Sequence, residues 1–512
     1  MKRSLLALSL LAAPAAIADQ PLPQSGVRVL LNDPLKFDKP MDDCGSKACK
    51  DLLKIIENAE YTIDLAFYGI RHQKTLFDAF VAAKERGVRV RGVVDTDANG
   101  NSYYSDTERF REAIGDIKTD YEFDRRSVSE MKPYDRDFER CERPIGFEGP
   151  LQCLGYNIGD QCIVSAHASR EPIVHNGFIM HNKFVVADRR YVWTGSTNAS
   201  DSGTGGYNAN MAALLDSRVV AGWYTAEFEQ MYKGNFHTDK TSRNKRKNTV
   251  LADGTAVELY FTPQDDPIEA AIRPLLQRAS KSIDISVFFL THKFITKDLI
   301  DAHLRGIKVR IIMDATGAKN GYTKHEILRL AGIPVKIENW GGKMHMKAAV
   351  VDGEHMITGS MNWTSAGERT NDENTLILHS KRLAGKYLAF YEHMWTSIPD
   401  RWLRENPDPE SKQSGTACTD GVDNDFDHDA DSQDRGCEGE GAALSALPPV
   451  ERVDRSKGHK LIKGVMDGDG NKVFVSFGVP GYNDAYVDSR AGEKFFCSEM
   501  EAEAAGWKPS WR

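Results

Sequence analysis

An eighteen-residue pattern occurs twice in the chain: HNKFVVADRRYVWTGSTN from His181 to Asn198, and HMKAAVVDGEHMITGSMN from His345 to Asn362. Both copies fit H-x-K-x4-D-x6-G-S-x-N. At ~5% usage per residue type, one chance copy in a chain of this length has odds on the order of one in 10⁵. A lone histidine would be read as a structural residue; two His-Lys-Asn sets related by duplication point to chemistry. Two lysines and two asparagines supply donors for the non-bridging oxygens of one phosphate. Two imidazoles, each with an ordinary pKa near ~6.5, can divide the work near neutrality. One, neutral, attacks phosphorus; the other, protonated, gives its proton to the departing alkoxide. The roles reverse when water resolves the phosphohistidine. No metal is required, because the cationic donors neutralise the developing charge.

The spacing says what must hold these groups. His and Lys two apart on a strand share one face, so His181 projects with Lys183 and His345 with Lys347. The apolar runs FVVA and AAVV continue a buried strand. Asp188 and Asp352 then stand at a turn, and Asp352-Gly353 is a hairpin signal. The returning strands, YVWTGS and HMITGS, bring Ser196 and Ser360, then Asn198 and Asn362, back beside the starting histidines.

The duplication extends beyond the motif. YTIDLAFY at 61–68 matches KSIDISVFF at 281–289, and each follows a helix-like segment. ERGVRVRGVVD, ending at Asp95, matches LRGIKVRIIMD, ending at Asp314; both predict a helix, a glycine stop and a strand. AEFEQMY around Met231 matches AFYEHMW around Met394. The expected fold is α/β: two duplicated lobes, 27–237 and 250–400, each a mixed sheet flanked by helices, forming one bilobed unit. The first lobe is about 55 residues longer between Asp95 and His181, which marks an insertion at about 100–170, a substrate loop or a stapled decoration.

These motifs resemble the phospholipase D superfamily, whose signature is a repeated HxKxxxxD. The resemblance covers both lobes. It implies an active site at the lobe interface and a covalent phosphohistidine. It further implies His181 as nucleophile and His345 as general acid, with Lys183, Lys347, Asn198 and Asn362 on the phosphate and Ser196 and Ser360 in support. Asp188 and Asp352, the remaining motif residues, are counted with the catalytic set. Family members often use a Glu to orient a motif histidine. Glu373-Asn374 follows the second motif where Ala209-Asn210 follows the first, so Glu373 is expected to orient His345 alone.

The rest of the chain adds an address and a tail. Hydrophobic residues make up 41% and charged residues 27%, which excludes a mostly disordered chain. Lys2 and Arg3, the apolar run from Leu5 to Ala13 and Ala16-Ile17-Ala18 predict a signal peptide over 1–18, cleaved after Ala18, and a secreted or periplasmic protein. Eight cysteines fit that compartment. Cys418–Cys437 is the expected disulfide, a local Cys44–Cys49 bridge is open, and Cys497 is expected to stay unpaired. Of Cys141, Cys153 and Cys162, one must pair elsewhere or stay free. KTSRNKRKNT, from Lys240, reads as a solvated linker or a contact for phosphate-rich surface.

The net charge of −8 is carried by the segment 418–440, which leaves the body neutral. In the loop 418–437, Asp423, Asp425, Asp427, Asp429 and Asp431 alternate with other residues. Such carboxylates suit a hard cation, and the loop resembles the Asp-rich calcium loops of exported proteins. Lying beyond both lobes, it is expected to hold a structural Ca²⁺ without serving catalysis, so that activity survives chelation. Residues 456–512 predict a small β-rich domain similar to the one called sunset, on Phe496-Cys497-Ser498, Glu501-Ala502 and Ala505-Gly506-Trp507. The expected function is an exported phospholipase D-type phosphodiesterase that cleaves a phospholipid at a membrane surface. It is expected to act as a monomer, since one chain holds both motifs. The alternatives are a nuclease of the same superfamily and a non-catalytic protein that binds anionic surfaces.

Overall fold

The computed structural model describes residues 26–130 except 98, 153–156, 162–164, 178–426 except 244–246 and 321–322, 429–437, 462–476 except 468–469, and 493–510 except 497–498. The expected signal peptide, part of the insertion, Cys141, Cys497 and Asp427 lie outside the described residues.

Each lobe is built around a central strand that reads apolar because both its faces are covered. In the first lobe this is Thr62–Phe67, and in the second Ser282–Val287. Each pairs in parallel with the strand that the sequence ends in Asp (Arg89–Val94; Lys308–Met313). On its other side each pairs antiparallel with the strand that carries the motif lysine or directly follows it (Phe184–Ala187; Lys347–Val351). The complete sheets are mixed, with seven strands in the first lobe and eight in the second. Both motifs form the expected strand–turn–strand: Phe184–Ala187 returns as Tyr191–Gly195, and Lys347–Val351 as His355–Gly359.

One charged residue sits in each central strand, and the repeat explains it. Asp64 is buried and accepts from Arg91 Nε at 2.8 Å; Asp284 accepts from Arg310 Nε at 2.7 Å. Arg91 continues to Glu229 and lies over the rings of Phe228 and Tyr232. Arg310 continues to Glu392 and the rings of Tyr391 and Trp395. The aromatic-and-acid signatures AEFEQMY and AFYEHMW thus anchor the closing helices Arg218–Tyr232 and Lys381–Ser397 to their sheets. Ser217 and Ser380 cap these helices through their side-chain oxygens. The lobes share one core: Met211, Ala213, Tyr224 and Met231 from the first pack in the same cluster as Leu376, Leu378, Tyr387 and Met394 from the second. One bilobed unit follows, as expected.

Asp188 and Asp352 do not join the catalytic groups. Each adopts a positive φ at the turn, at the far end of its strand from the histidine. Asp188 accepts backbone N–H bonds from Glu60, Tyr61 and Thr62; Asp352 accepts from Ser280, Lys281 and Ser282. Both carboxylates therefore clip the start of the central strand to the hairpin. Asp352→Ala is expected to cost about 2 kcal/mol by urea unfolding, because three backbone donors lose a charged acceptor near the surface. Residual activity per folded molecule should stay near that of the parent.

One expected feature differs. Lys240, read as part of a solvated basic linker, is buried and pairs with Glu227 and with Asp372 at 2.6 Å; Lys247 pairs with Asp265 at 2.5 Å. Lys240 also donates to Thr262 O, and Lys247 lies over the ring of Phe261, so both described lysines are engaged with the body. Cys44–Cys49 and Cys418–Cys437 are both bridged. In the tail, Ile462–Met466, Lys472–Ser476, Lys494–Phe496 and Lys508–Pro509 form a four-stranded sheet with a helix at Glu499–Ala504, around Ile462, Phe474, Phe496, Ala502 and Trp507.

Candidate active site

The two lobes meet through two short parallel bridges, and each bridge carries a motif histidine. Met180 pairs with Asp372, and Ala209 with Met344. His181 N donates to Asp372 O at 3.0 Å, and His345 N donates to Ala209 O at 3.0 Å. Each histidine is thereby seated on the opposite lobe. The loops before them are fixed by the acids that end the repeated strands: Asp95 accepts from Met180 N at 2.7 Å and Asp314 from Met344 N at 2.9 Å.

The imidazole contacts cross in the same way, which corrects the sequence-based placement of Glu373. Its carboxylate faces His181 Nδ1 with both oxygens at 2.8 Å and does not orient His345. His345 Nδ1 instead lies 3.1 Å from Asn210 Oδ1 and 3.0 Å from Ser196 O. The bridges between the lobes cause the exchange, and one residue of loop length sets which residues are counterparts. Gly195 pairs with Ala212, whereas Gly359 pairs with Thr375, so the counterpart of Glu373 is Asn210 rather than Ala209. The motif Gly-Ser serves this arrangement. Gly195 and Gly359 have φ near +148°, and a side chain at either would meet the backbone oxygen of Met211 or Asn374 within 2.2 Å. Ser196 Oγ then accepts from Met211 N and donates to Asn210 Oδ1; Ser360 Oγ accepts from Asn374 N.

The lysines fold back alike. Lys183 Nζ donates to His181 O at 2.7 Å and Lys347 Nζ to His345 O at 2.9 Å. Both are buried, over the rings of Tyr68 and Phe288, which also flank His181 and His345. Asn374, given no role from the sequence, ties the lobes together: its Nδ2 donates to Asn182 Oδ1, and its Oδ1 accepts from Thr194 and Tyr224. Asn198 and Asn362 follow the return strands, and each has a buried carboxamide oxygen without a hydrogen-bond partner. With the amide turned over, that position offers N–H to an anion.

The cluster is short of negative charge. Burial, with Lys183 and Lys347 beside it, holds His181 well below its ordinary value, and the same groups act on His345. Burial brings Lys183 down to about 7, although Glu373 and Asp95 pull it back, and lowers Lys347 as well. Burial raises Glu373 to about 8 despite the two lysines. A phosphodiester anion relieves this arrangement: it restores the ammonium groups and meets the idle carboxamides. Because kcat/KM reports the free enzyme, it is expected to fall as pH climbs through about 7, where Lys183 loses its charge. Lys183→Arg, whose guanidinium stays protonated, should move that fall to higher pH even while it lowers the maximum. A pH–rate series on both proteins checks this.

Comparisons with known proteins find relatives of one family. A family model described as "Cardiolipin synthase, PLD-like domain" matches residues 157–232 and 272–395. The chain is 33% identical over 155 residues to the mitochondrial cardiolipin hydrolase of Xenopus tropicalis, across 29% of this chain and 71% of that protein. It is 36% identical over 144 residues to a phospholipase D of Rickettsia conorii, across 28% and 72%. Among solved structures, the phospholipase D family member Nuc of Salmonella typhimurium aligns over 28% of this chain and 97% of its own, at 26% identity and a TM-score of 0.26.

Proposed function

The chain belongs to the phospholipase D superfamily and is a phosphodiesterase of that type, and on that premise we propose that it is an exported enzyme that hydrolyses a phospholipid to phosphatidate and an alcohol. The observation that carries the reading is the crossed pair of histidines, each beside a buried lysine and each oriented by the other lobe.

In this mechanism Lys183, Lys347 and the carboxamides of Asn198 and Asn362 hold the non-bridging oxygens. Glu373 accepts the Nδ1 proton of His181, so the Nε2 lone pair faces phosphorus. As the N–P bond forms, the ring becomes cationic. Glu373, a stronger base than an ordinary carboxyl, gains most from a cationic neighbour and stabilises that charge. The bound anion offsets Lys183 and Lys347 and favours the imidazolium of His345, which takes up a proton as substrate binds; its Nδ1 proton is held by Asn210 Oδ1 and Ser196 O, and its Nε2 proton passes to the leaving alkoxide. His345 then takes a proton from the water that attacks the phosphohistidine; the N–P bond breaks, and the ring of His181 recovers its lone pair.

Relatives named phospholipase D and cardiolipin hydrolase favour a lipid. Export is supported by the signal-like first residues and by two disulfides. The test is to incubate the protein with phosphatidylcholine vesicles, cardiolipin vesicles, plasmid and single-stranded DNA. Release of the alcohol with phosphatidate is expected; strand cleavage without lipid turnover would make it a nuclease, and neither would leave a surface-binding protein.

A further inference from the structure

The Asp-rich loop was expected to stand apart from catalysis, yet it is fastened to both lobes beside His345. Tyr207 of the first lobe, two residues before Ala209, contacts Thr416 Oγ1 at 2.9 Å and donates to Asp420. Lys343 of the second lobe, two residues before His345, donates from Nζ to Asn424 O at 2.6 Å and to Thr316 Oγ1 at 2.8 Å. The lobes touch closely at this point: side chains at Gly341 and Gly342 would meet Tyr207 OH and Tyr207 O at 1.9 Å. Lys343 N also donates to Asn208 Oδ1 at 2.9 Å. The loop therefore straps the bridge on which His345 is seated.

Beneath the strap lies a carboxylate cluster that the Asp spacing alone did not reveal. Glu410, Asp423 and Asp425 each place an oxygen within 4.8 Å of the others. Glu410 is fully buried and accepts from Asn424 N and Asp431 N. The Asp425 side chain is 10% exposed, and its Oδ1 is buried without a hydrogen-bond partner. Its other oxygen meets Lys319, which also pairs with Asp408 at 2.9 Å. Lys319 is shared with Asp408, so the three clustered carboxylates keep an excess of negative charge, and oxygen donors alone suit a hard divalent ion. Asp431, by contrast, is occupied as an acceptor for Asp420 N and Gly421 N.

We propose that Glu410, Asp423 and Asp425 bind one Ca²⁺-sized cation, and that this ion locks the loop across both lobes to hold His345 in place. Asn424 is the link: its N–H donates to Glu410 and its carbonyl accepts from Lys343 and Thr316. The binding half of this proposal stands alone, and the catalytic half rests on the phosphodiesterase reading above.

The test uses the full chain stripped with EGTA and titrated with Ca²⁺ in a calorimeter. One site is expected, in the ~10⁻⁴ to 10⁻³ M range of extracellular modules, with a rise in Tm of several degrees on saturation. Glu410→Gln and Asp423→Asn should each weaken binding at least tenfold while circular dichroism stays unchanged. Ca²⁺ should raise turnover several-fold for substrates with poor leaving groups and little for a nitrophenyl diester. In Tyr207→Phe the ion should still bind, with the stimulation reduced. Absence of calcium heat, or wild-type affinity in both ligand variants, overturns the site. Binding with identical turnover in stripped and loaded protein overturns the lock. Loss of all turnover under both conditions, with binding intact, would count against the phosphodiesterase reading instead.

Discussion

His181→Ala is expected to lower turnover by at least ~10⁴ and to abolish capture of labelled phosphate, because no other group in the pocket offers a lone pair held toward phosphorus. His345→Ala should behave differently. With a nitrophenyl diester the first step needs no proton, so the variant should form the phosphohistidine and then stall, because the base that activates water is gone. Rapid-quench labelling followed by peptide mapping should therefore find phosphate on His181 in the wild type, accumulate it in His345→Ala, and find none in His181→Ala. Label on His345 in the His181 variant would reverse the two roles.

The second large effect concerns the groups behind the rings. Glu373→Gln removes the charge that stabilises the imidazolium at His181. It should lower the first chemical step by ~10² or more for activated and poor leaving groups alike, since both need the nucleophile. Asn210→Ala loosens only the acid. It should cost a poor leaving group about tenfold or more and a nitrophenyl ester little. Pre-steady-state bursts on the two substrates give the ratio directly. A leaving-group-dependent loss in the Glu373 variant would mean that its carboxylate serves the acid after all.

Much of the frame was legible because duplication writes every element twice. The strand–turn–strand of each motif and the paired closing helices follow from matching segments. So does the recurrence of Asp95 and Asp314, which the structure turns into anchors for Met180 and Met344. What stayed hidden was tertiary. Counting along the chain from Asn198 and Asn362 set Ala209 against Glu373, because the first lobe's loop is one residue longer. Even a correct alignment would have paired each orienting group with its own histidine. Only the bridges Met180–Asp372 and Ala209–Met344 reveal the exchange between lobes. Burial misled in the same way: Lys240 reads as linker because nothing local announces that Glu227 and Asp372 will surround it. Glu410 stands outside the Asp-rich run and reaches the cluster only through the packing of the loop.

The unequal pair, a carboxylate behind one imidazole and a carboxamide behind the other, gives an otherwise near-symmetric pocket a polarity. A diester has two arms. Turned one way, its departing oxygen faces His345 and can receive a proton; turned the other way, it faces a ring held as a base. Two-fold pseudosymmetry would let the substrate enter in either sense, but chemistry proceeds from one. On the proposed mechanism the pocket has a built-in regiochemistry: for a substrate with unlike arms, the arm directed toward His345 is released and the other remains on the phosphorus. Because His345 lies among Ser196 and Asn210 of the first lobe and Phe288 of the second, both lobes would govern the choice of alcohol.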